Sequence, residues 1–537
     1  MKTNKFCCFA LVLCLILCMA VSCKDKIGPD ASKPESSSEA GDVTLYVKDF
    51  GAKGDGTTDD YRAVEDAIRQ ARKNEGTTVV RFEKDATYLL ATKNINNTAM
   101  SLKNIQNVKL VGENTTIMID NMISYATVQN AENIMLKGLN FKFKTLPYTI
   151  AKVKVVDKTA MTVDIETRDT MGIEGTWESK NEANFGIIDV DTGRLHVFYQ
   201  KVQVLDAAKN QYRLFCKPED SGTERVAMLA GLKHEMFIPI PEVGQVNGSA
   251  LPVTGTNNLI LEDINMWSAS HFTFHFRDNR GEFLMRNVNM VPEPGTYEKM
   301  VSWRDGFHLK ENRAKFTWEN CRLTGAYDDI FNFSASGLNV VEVISDTEFI
   351  MESHEFGTNY PTTVEVGDEI TVYNPEMGDF CGRTKITEVV KQGRLHIKVE
   401  TPLKKLEAGK SAAAIDSLSA PDSTIKNCYI DGTFRFRSSV KIYDSEFKIT
   451  YSWVENEFPW EGPLPKDILF KNCKLYGLTK DATFMSLGAV STTGVVPEYG
   501  VERMVFEDCD VNPEKIYIRE GTDVKFIKDG KVIFQKP

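Results

Sequence analysis

A short motif recurs along this chain and limits what it can fold into. Each copy is a charged or polar residue, an Asn or Asp, an apolar or thiol residue, a polar residue and an apolar one. Glu262-Asp263-Ile264-Asn265-Met266 returns as Arg286-Asn287-Val288-Asn289-Met290, then at Glu319-Asn320-Cys321, Lys426-Asn427-Cys428, Lys471-Asn472-Cys473 and Glu507-Asp508-Cys509. The first spacing is 286 − 262 = 24 residues, and longer spacings contain loops such as Pro292 to Lys299. Short alternating strands at that period describe a parallel β-solenoid, in which each coil buries its inward face only against the next. A β-sandwich with chance Asn turns is the competing arrangement, but it needs hairpin signals that are scarce among these repeats.

The cysteines follow the same period. Five of the 11 (Cys7, Cys8, Cys14, Cys18, Cys23) lie in the first 23 residues, which leaves 11 − 5 = 6. Four of these six occupy the repeat position, as expected for a stack of buried thiols and not for a disulfide set. There is no CxxC or HExxH, so no metal is expected. The N-terminal cysteines belong to a targeting segment: Lys2 and Lys5, an apolar run from Phe6 to Val21, then Ala20-Val21-Ser22-Cys23. This resembles a bacterial lipobox. It implies a signal peptide over 1–22, a lipid on Cys23, a solvated tether over 23–42, and a place in the bacterial cell envelope, held to the membrane by that lipid. A plain secretory signal with an incidental cysteine is the alternative. A formal net charge of −11 argues against nucleic acid as a partner.

The segment from Val43 to Val47 is followed by Asp49-Phe50-Gly51-Ala52-Lys53-Gly54-Asp55-Gly56-Thr57-Thr58-Asp59-Asp60. Asp59 or Asp60 can cap a helix whose apolar stripe is Ala63, Val64, Ala67, Ile68 and Ala71, and such a helix can close an open first coil. The glycines do not make a phosphate loop, because GxxxxGK[ST] is missing. This stretch resembles the opening motif of the pectin-lyase-like right-handed β-helix superfamily. The resulting fold expectation is all-β: a right-handed parallel β-helix with an N-terminal capping helix and two inserted small antiparallel β-barrel segments. The insertions are read from hairpin-like pieces at Val153 to Ile165, Val202 to Phe215, Val341 to Met351 and Ile386 to Val399. Coils are expected over 43–146, 237–337 and 416–537, and inserted barrels over 147–236 and 338–415.

The chemistry concentrates in Arg304-Asp305-Gly306-Phe307-His308-Leu309 and Ala326-Tyr327-Asp328-Asp329-Ile330-Phe331-Asn332. The separation 328 − 305 = 23 is close to one coil, and neighbouring strands lie about 4.8 Å apart. Three carboxylates on adjacent coils would repel, raise at least one pKa, and offer a protonated acid beside an ionised base, as glycoside hydrolysis requires. In His271-Phe272-Thr273-Phe274-His275-Phe276-Arg277, alternation assigns the phenylalanines to the core and His271, Thr273, His275 and Arg277 to the other face. Since 319 − 308 = 11 and 286 − 275 = 11, His275 and His308 are expected to stack on adjacent coils. The bland alternatives are turn or surface aspartates and structural histidines.

Asp305, His308, Asn320-Cys321, Asp328-Asp329 and Asn332 also resemble, position by position, the pattern of family-110 glycoside hydrolases. That resemblance implies an inverting, exo-acting α-1,3-galactosidase on a β-helix with inserted barrels, working on a glycan without a cofactor. Asp305, Asp328 and Asp329 are then the catalytic residues, with His308, Asn332, His271, His275, Arg277 and Arg304 binding substrate. One departure is Phe333-Ser334-Ala335, where the pattern has His-Gly. The expectation of inversion draws on a wide carboxylate gap, with Asp305 as acid and Asp328 or Asp329 activating water, roles that sequence alone leaves exchangeable. A polygalacturonase-like hydrolase or a polysaccharide lyase is a second reading, with Arg277, Arg304 and Lys310 as cations for a uronate and the aspartates as calcium ligands in the lyase case. A non-enzymatic glycan-binding β-helix is a third.

Overall fold

The computed structural model describes residues 41–120, 123–170, 175–176, 186–189, 195–216, 235–239, 248–353, 363–456, 461–463, 465–489, 491 and 493–536. The signal peptide, Cys23 and all but the last two residues of the tether expected from the sequence lie outside them.

The repeat is a corner. Asp263, Asn287, Asn320, Asn427, Asp444, Asn472 and Asp508 all have φ between 51° and 56°. An L-residue enters this left-handed region cheaply only when it is Asn or Asp, so these side chains mark where the chain turns between strands. Their amides stack from coil to coil, with Asn287 donating to Asp263 at 2.8 Å and Asn427 to Asn320 at 2.7 Å. The residue after each corner points inward. Cys321, Cys428 and Cys473 are buried there and Cys509 is half-buried, all as free thiols. The expected thiol stack is interrupted once: Ser445 stands between Cys428 and Cys473, and its hydroxyl accepts from the Cys428 N–H at 3.1 Å.

From these corners a parallel sheet runs through the molecule in register. Leu45, Val80, Leu110, Leu136, Leu261, Met285, Trp318, Ile425, Ile442, Phe470, Phe506 and Phe526 pair in succession. From Val80 onward this ladder is buried inside a single apolar core. Burial of such side chains at roughly 25 cal/mol per Å² drives the stacking. The result is a parallel β-helix, with the right-handed coiling that parallel crossovers take.

Helix α1 (Tyr61–Ala71) closes the first coil through Ala63, Val64, Ala67, Ile68 and Ala71, all buried. Asp60 stands at its N-cap but makes no capping bond; its carboxylate accepts instead from Lys53 N at 2.7 Å and Gly54 N at 2.9 Å, bracing the Gly-rich loop. Asp59 accepts from Tyr61 N at 3.2 Å.

Two antiparallel units interrupt the coils. The first contains Tyr148–Asp157, Thr162–Thr167, Leu195–Asp206, Gln211–Cys216 and Glu235–Pro239. The second is a closed six-stranded barrel between Leu338 and Ile415. Both attach beside one stretch of the helix. Tyr148 Oη donates to Met300 O at 2.8 Å, while Arg313 pairs with Asp368 at the second barrel.

Candidate active site

One face of the helix is built from β1 (Ser249–Thr254), β2 (Phe272–Arg277), β3 (Phe307–Lys310), β4 (Asp329–Ser336) and β5 (Tyr429–Phe436). Inward-facing Phe274, Phe307, Phe331 and Phe434 pair in succession, and Phe274 and Phe307 stack with centroids 4.3 Å apart. The next position along carries Pro252, His275, His308, Asn332 and Arg435 as a polar outward ladder. The expected stacking of His275 on His308 is therefore present, with ring centroids 5.2 Å apart.

Asp305 lies two residues before β3 and Asp329 opens β4. Because Phe307 pairs with Phe331, the coil here is 331 − 307 = 24 residues, one more than the 23 used in the sequence argument. Asp305 therefore stacks on Asp329, whose carbonyl accepts from Gly306 N at 2.8 Å, and Arg304 meets Asp328 at 3.3 Å. Gly306 permits this closeness: a Cβ there would lie 2.8 Å from the Ile330 carbonyl. The three aspartates each offer an oxygen, all within 4.8 Å of one another. That is tighter than the wide gap expected from the sequence.

Burial divides the trio. Asp305 and Asp329 are each 1% exposed, whereas the Asp328 side chain is 29% exposed. Burial, and after it the neighbouring charge of Asp328, pushes the Asp305 and Asp329 carboxyls well above the usual carboxylate range. Asp305 Oδ2 lies 2.6 Å from His308 Nδ1, and Arg435 Nε lies 3.0 Å from Asp329 Oδ2. Burial holds His308 down to about 4, so its imidazole is neutral near pH 7 and can donate Nδ1–H to Asp305. The other Asp305 oxygen is then left to carry a proton. The trio could also hold a cation, but Arg304 and Arg435 already balance two of its charges.

No protein-family model matches the chain. Over 357 residues, 61% of its length, it is 20% identical to alpha-1,3-galactosidase A of Bacteroides thetaiotaomicron, 58% of which is spanned. A 75-residue stretch, 14% of the chain, is 40% identical to a polygalacturonase of Arabidopsis thaliana and spans 17% of it. The chain thus spans less than two thirds of the length of either relative. Among solved structures, a family 28 exopolygalacturonase of Yersinia enterocolitica aligns over 92% of this chain and 80% of its own, with a TM-score of 0.37 and 12% identity. An exopolygalacturonase of Thermotoga maritima aligns over 92% and 93%, with a TM-score of 0.34 and 12% identity. The fold is a parallel β-helix.

Within this β-helix the remaining expected residues separate into two groups. His271 is buried with no partner for Nε2, and Asn332 accepts from Arg437 Nη1 at 3.4 Å; both adjoin the trio. Arg277 is held by Glu311 at 2.9 Å, two positions along β2 from His275. Phe272 is corrected: it is not in the core with Phe274 and Phe276. Its ring lies 4.4 Å from His271, 5.1 Å from His275 and 4.6 Å from His308, on the polar side of the strand. Strict alternation fails there because Thr273, expected on the polar face, is buried next to Phe274, two buried residues in succession.

Sequence reasoning missed Arg435, Arg437, Trp453 and Glu461. Arg435 stacks over the Trp453 ring at 5.0 Å, and Arg437 pairs with Glu461 at 2.9 Å. The second barrel hides the coil spacing, since 435 − 332 = 103 residues separate partners that stand on neighbouring strands. The signal that could have found them is Phe434-Arg435-Phe436-Arg437, which repeats the alternation of Phe274-His275-Phe276-Arg277.

Proposed function

We propose that this protein is an exo-acting glycoside hydrolase that cleaves α-linked galactosides with inversion, anchored by a lipid on Cys23 in the bacterial envelope. The observation that carries the hydrolase reading is the convergence of Asp305, Asp328 and Asp329 within 4.8 Å on one face, with Asp305 and Asp329 buried and Asp328 and Asp329 each beside a guanidinium group. The galactoside comes from the relative of that activity and from the matching residue pattern around these aspartates. Exo action is inferred from that same residue pattern.

In this mechanism Asp305 is the general acid, sheltered by burial so that it keeps its proton, and oriented by His308. Asp328, the member open to solvent, and Asp329 hold the attacking water. Two oxygens no more than 4.8 Å apart can share one water, which hydrogen-bonds to each at about 2.7 Å. Carboxylate spacing alone does not argue for inversion, because the gap is below the roughly 6.5 Å that a two-carboxylate inverting site needs. Support comes from the trio itself, in which two members position water while the third protonates the leaving oxygen.

Two measurements test the reading. Proton NMR of the first-formed product is expected to show the anomer opposite to that of the substrate. Asp305→Asn and Asp328→Asn should both fold and lose most activity on a natural linkage, by about 100-fold or more. A dinitrophenyl leaving group, which needs no protonation, should restore Asp305→Asn but not Asp328→Asn. A retained anomer overturns inversion, and rescue of Asp328→Asn alone exchanges the acid and base roles.

A further inference from the structure

We propose that Glu461 stands in the place of a substrate carboxylate and restricts the site to uncharged sugars. The inference rests on the glycoside-hydrolase reading above and names its substrate class. Glu461 is not part of the coil that carries the other site residues. It is delivered by β6 (Glu461–Gly462), which runs antiparallel to the end of β4, pairing Glu461 with Ser336 and Gly462 with Ala335. The position of β6 is fixed from the far side as well. A Cβ at Gly462 would lie 2.5 Å from the Cβ of Ala414 in the second barrel, so only glycine lets the strand pass between barrel and coil.

The place into which Glu461 is delivered is cationic. Its Oε2 lies 2.9 Å from Arg437 Nη1 and 3.9 Å from Arg435 Nη1, and the Arg437 side chain is 1% exposed. Burial pushes the Glu461 carboxyl up, but the positive charges around it, Arg437 foremost and then Arg435 and Lys310, bring it below the usual range, so it is ionised. Arg435 also touches Asp329 at 3.0 Å, so Glu461 is one guanidinium away from the reacting carboxylates.

Two arginines projecting side by side from one strand are a natural cradle for a planar carboxylate. A glycan with a uronate at this subsite would place its carboxylate there. In this protein the side chain of Glu461 already fills that cradle. The other arginines of the face are matched in the same way, Arg304 by Asp328 and Arg277 by Glu311. An incoming uronate would meet a fixed negative charge where it needs a positive one, whereas a neutral sugar would meet a hydrogen-bond acceptor.

The test compares two substrates with one aglycone, nitrophenyl α-galactoside and nitrophenyl α-galacturonide, on the whole protein and on Glu461→Gln. The wild type is expected to prefer the galactoside, and Glu461→Gln to shift the ratio of kcat/KM towards the galacturonide by about tenfold or more. A Glu461 that merely neutralised Arg437 would change stability and leave this ratio where it was, which overturns the proposal. So does a wild type that prefers the galacturonide. Should Glu461→Gln fail to fold, inhibition of the wild type decides: galactose should inhibit and galacturonic acid should not, and equal inhibition overturns the proposal. A wild type active on neither glycoside fails the hydrolase reading itself, and that result is distinct from an unchanged ratio in an active enzyme.

Discussion

His271 is buried and His275 and His308 are half-buried on the face of the carboxylates, and loss of solvent holds their imidazoles at about 3, 3 and 4, below the ordinary 6.5. A histidine depressed in the folded state is protonated first in the unfolded chain. Its contribution to stability is therefore complete above about pH 6.5 and is lost as pH falls towards the folded value. Asp305 and Asp329 act in the opposite sense, since a raised carboxyl favours the fold at low pH and loses that advantage as pH rises through its folded value. Removing one histidine isolates its share. His275→Gln is expected to lose Tm less steeply than the wild type between pH 7 and pH 5, and parallel curves would refute the assignment. At this scale the aspartates, His308 and Asn332 were legible because one coil separates them without interruption. Glu461 was not, because it comes from a strand that pairs only at its tip with the coil it serves.

The corner is the element on which the fold depends, and its backbone conformation explains why the repeat is legible in the sequence. A left-handed residue leaves an Asn or Asp in the sequence, so the turn is visible even where strand lengths vary. The residue after it carries less information, as Ser445 shows by replacing a thiol in the stack. Asn427 has φ of 52° and donates to Asn320 at 2.7 Å. Asn427→Ala should cost about 1–2 kcal/mol, from left-handed strain and the lost amide bond, whereas Asn427→Gly should cost less because glycine keeps the turn. Denaturant titration of both variants checks this order, and equal losses would show that the ladder bond, and not the backbone conformation, dominates. The helix stripe was equally legible from its spacing, but the role of Asp60 was not, because a carboxylate near a helix start has several N–H groups to choose from.

Across the whole molecule, coils supply the three aspartates, and both insertions attach beside the coils that carry them. The hairpins inside the insertions were visible as local alternation. That β5 and β6, which follow the second barrel, bring Arg435, Arg437 and Glu461 to the face was not, since those contacts join segments far apart in sequence. The charge pattern of the assembled face has a consequence for metal dependence. Arg304 and Arg435 stand against Asp328 and Asp329, so no divalent cation is needed to offset the trio. Activity on a galactoside should survive dialysis against EDTA. Loss of activity that calcium restores, together with an unsaturated product, would move the protein to the lyase reading.

The stacking of Asp305 on Asp329 makes the strand-to-strand spacing of the sheet the ruler that sets the distance between these two carboxyl groups. Backbone hydrogen bonds are stiff, and a ruler made of them does not stretch gradually as a mobile loop does. Warming should therefore leave the geometry of catalysis unaltered until the coils themselves come apart. Thermal inactivation would then coincide with global unfolding and would not precede it.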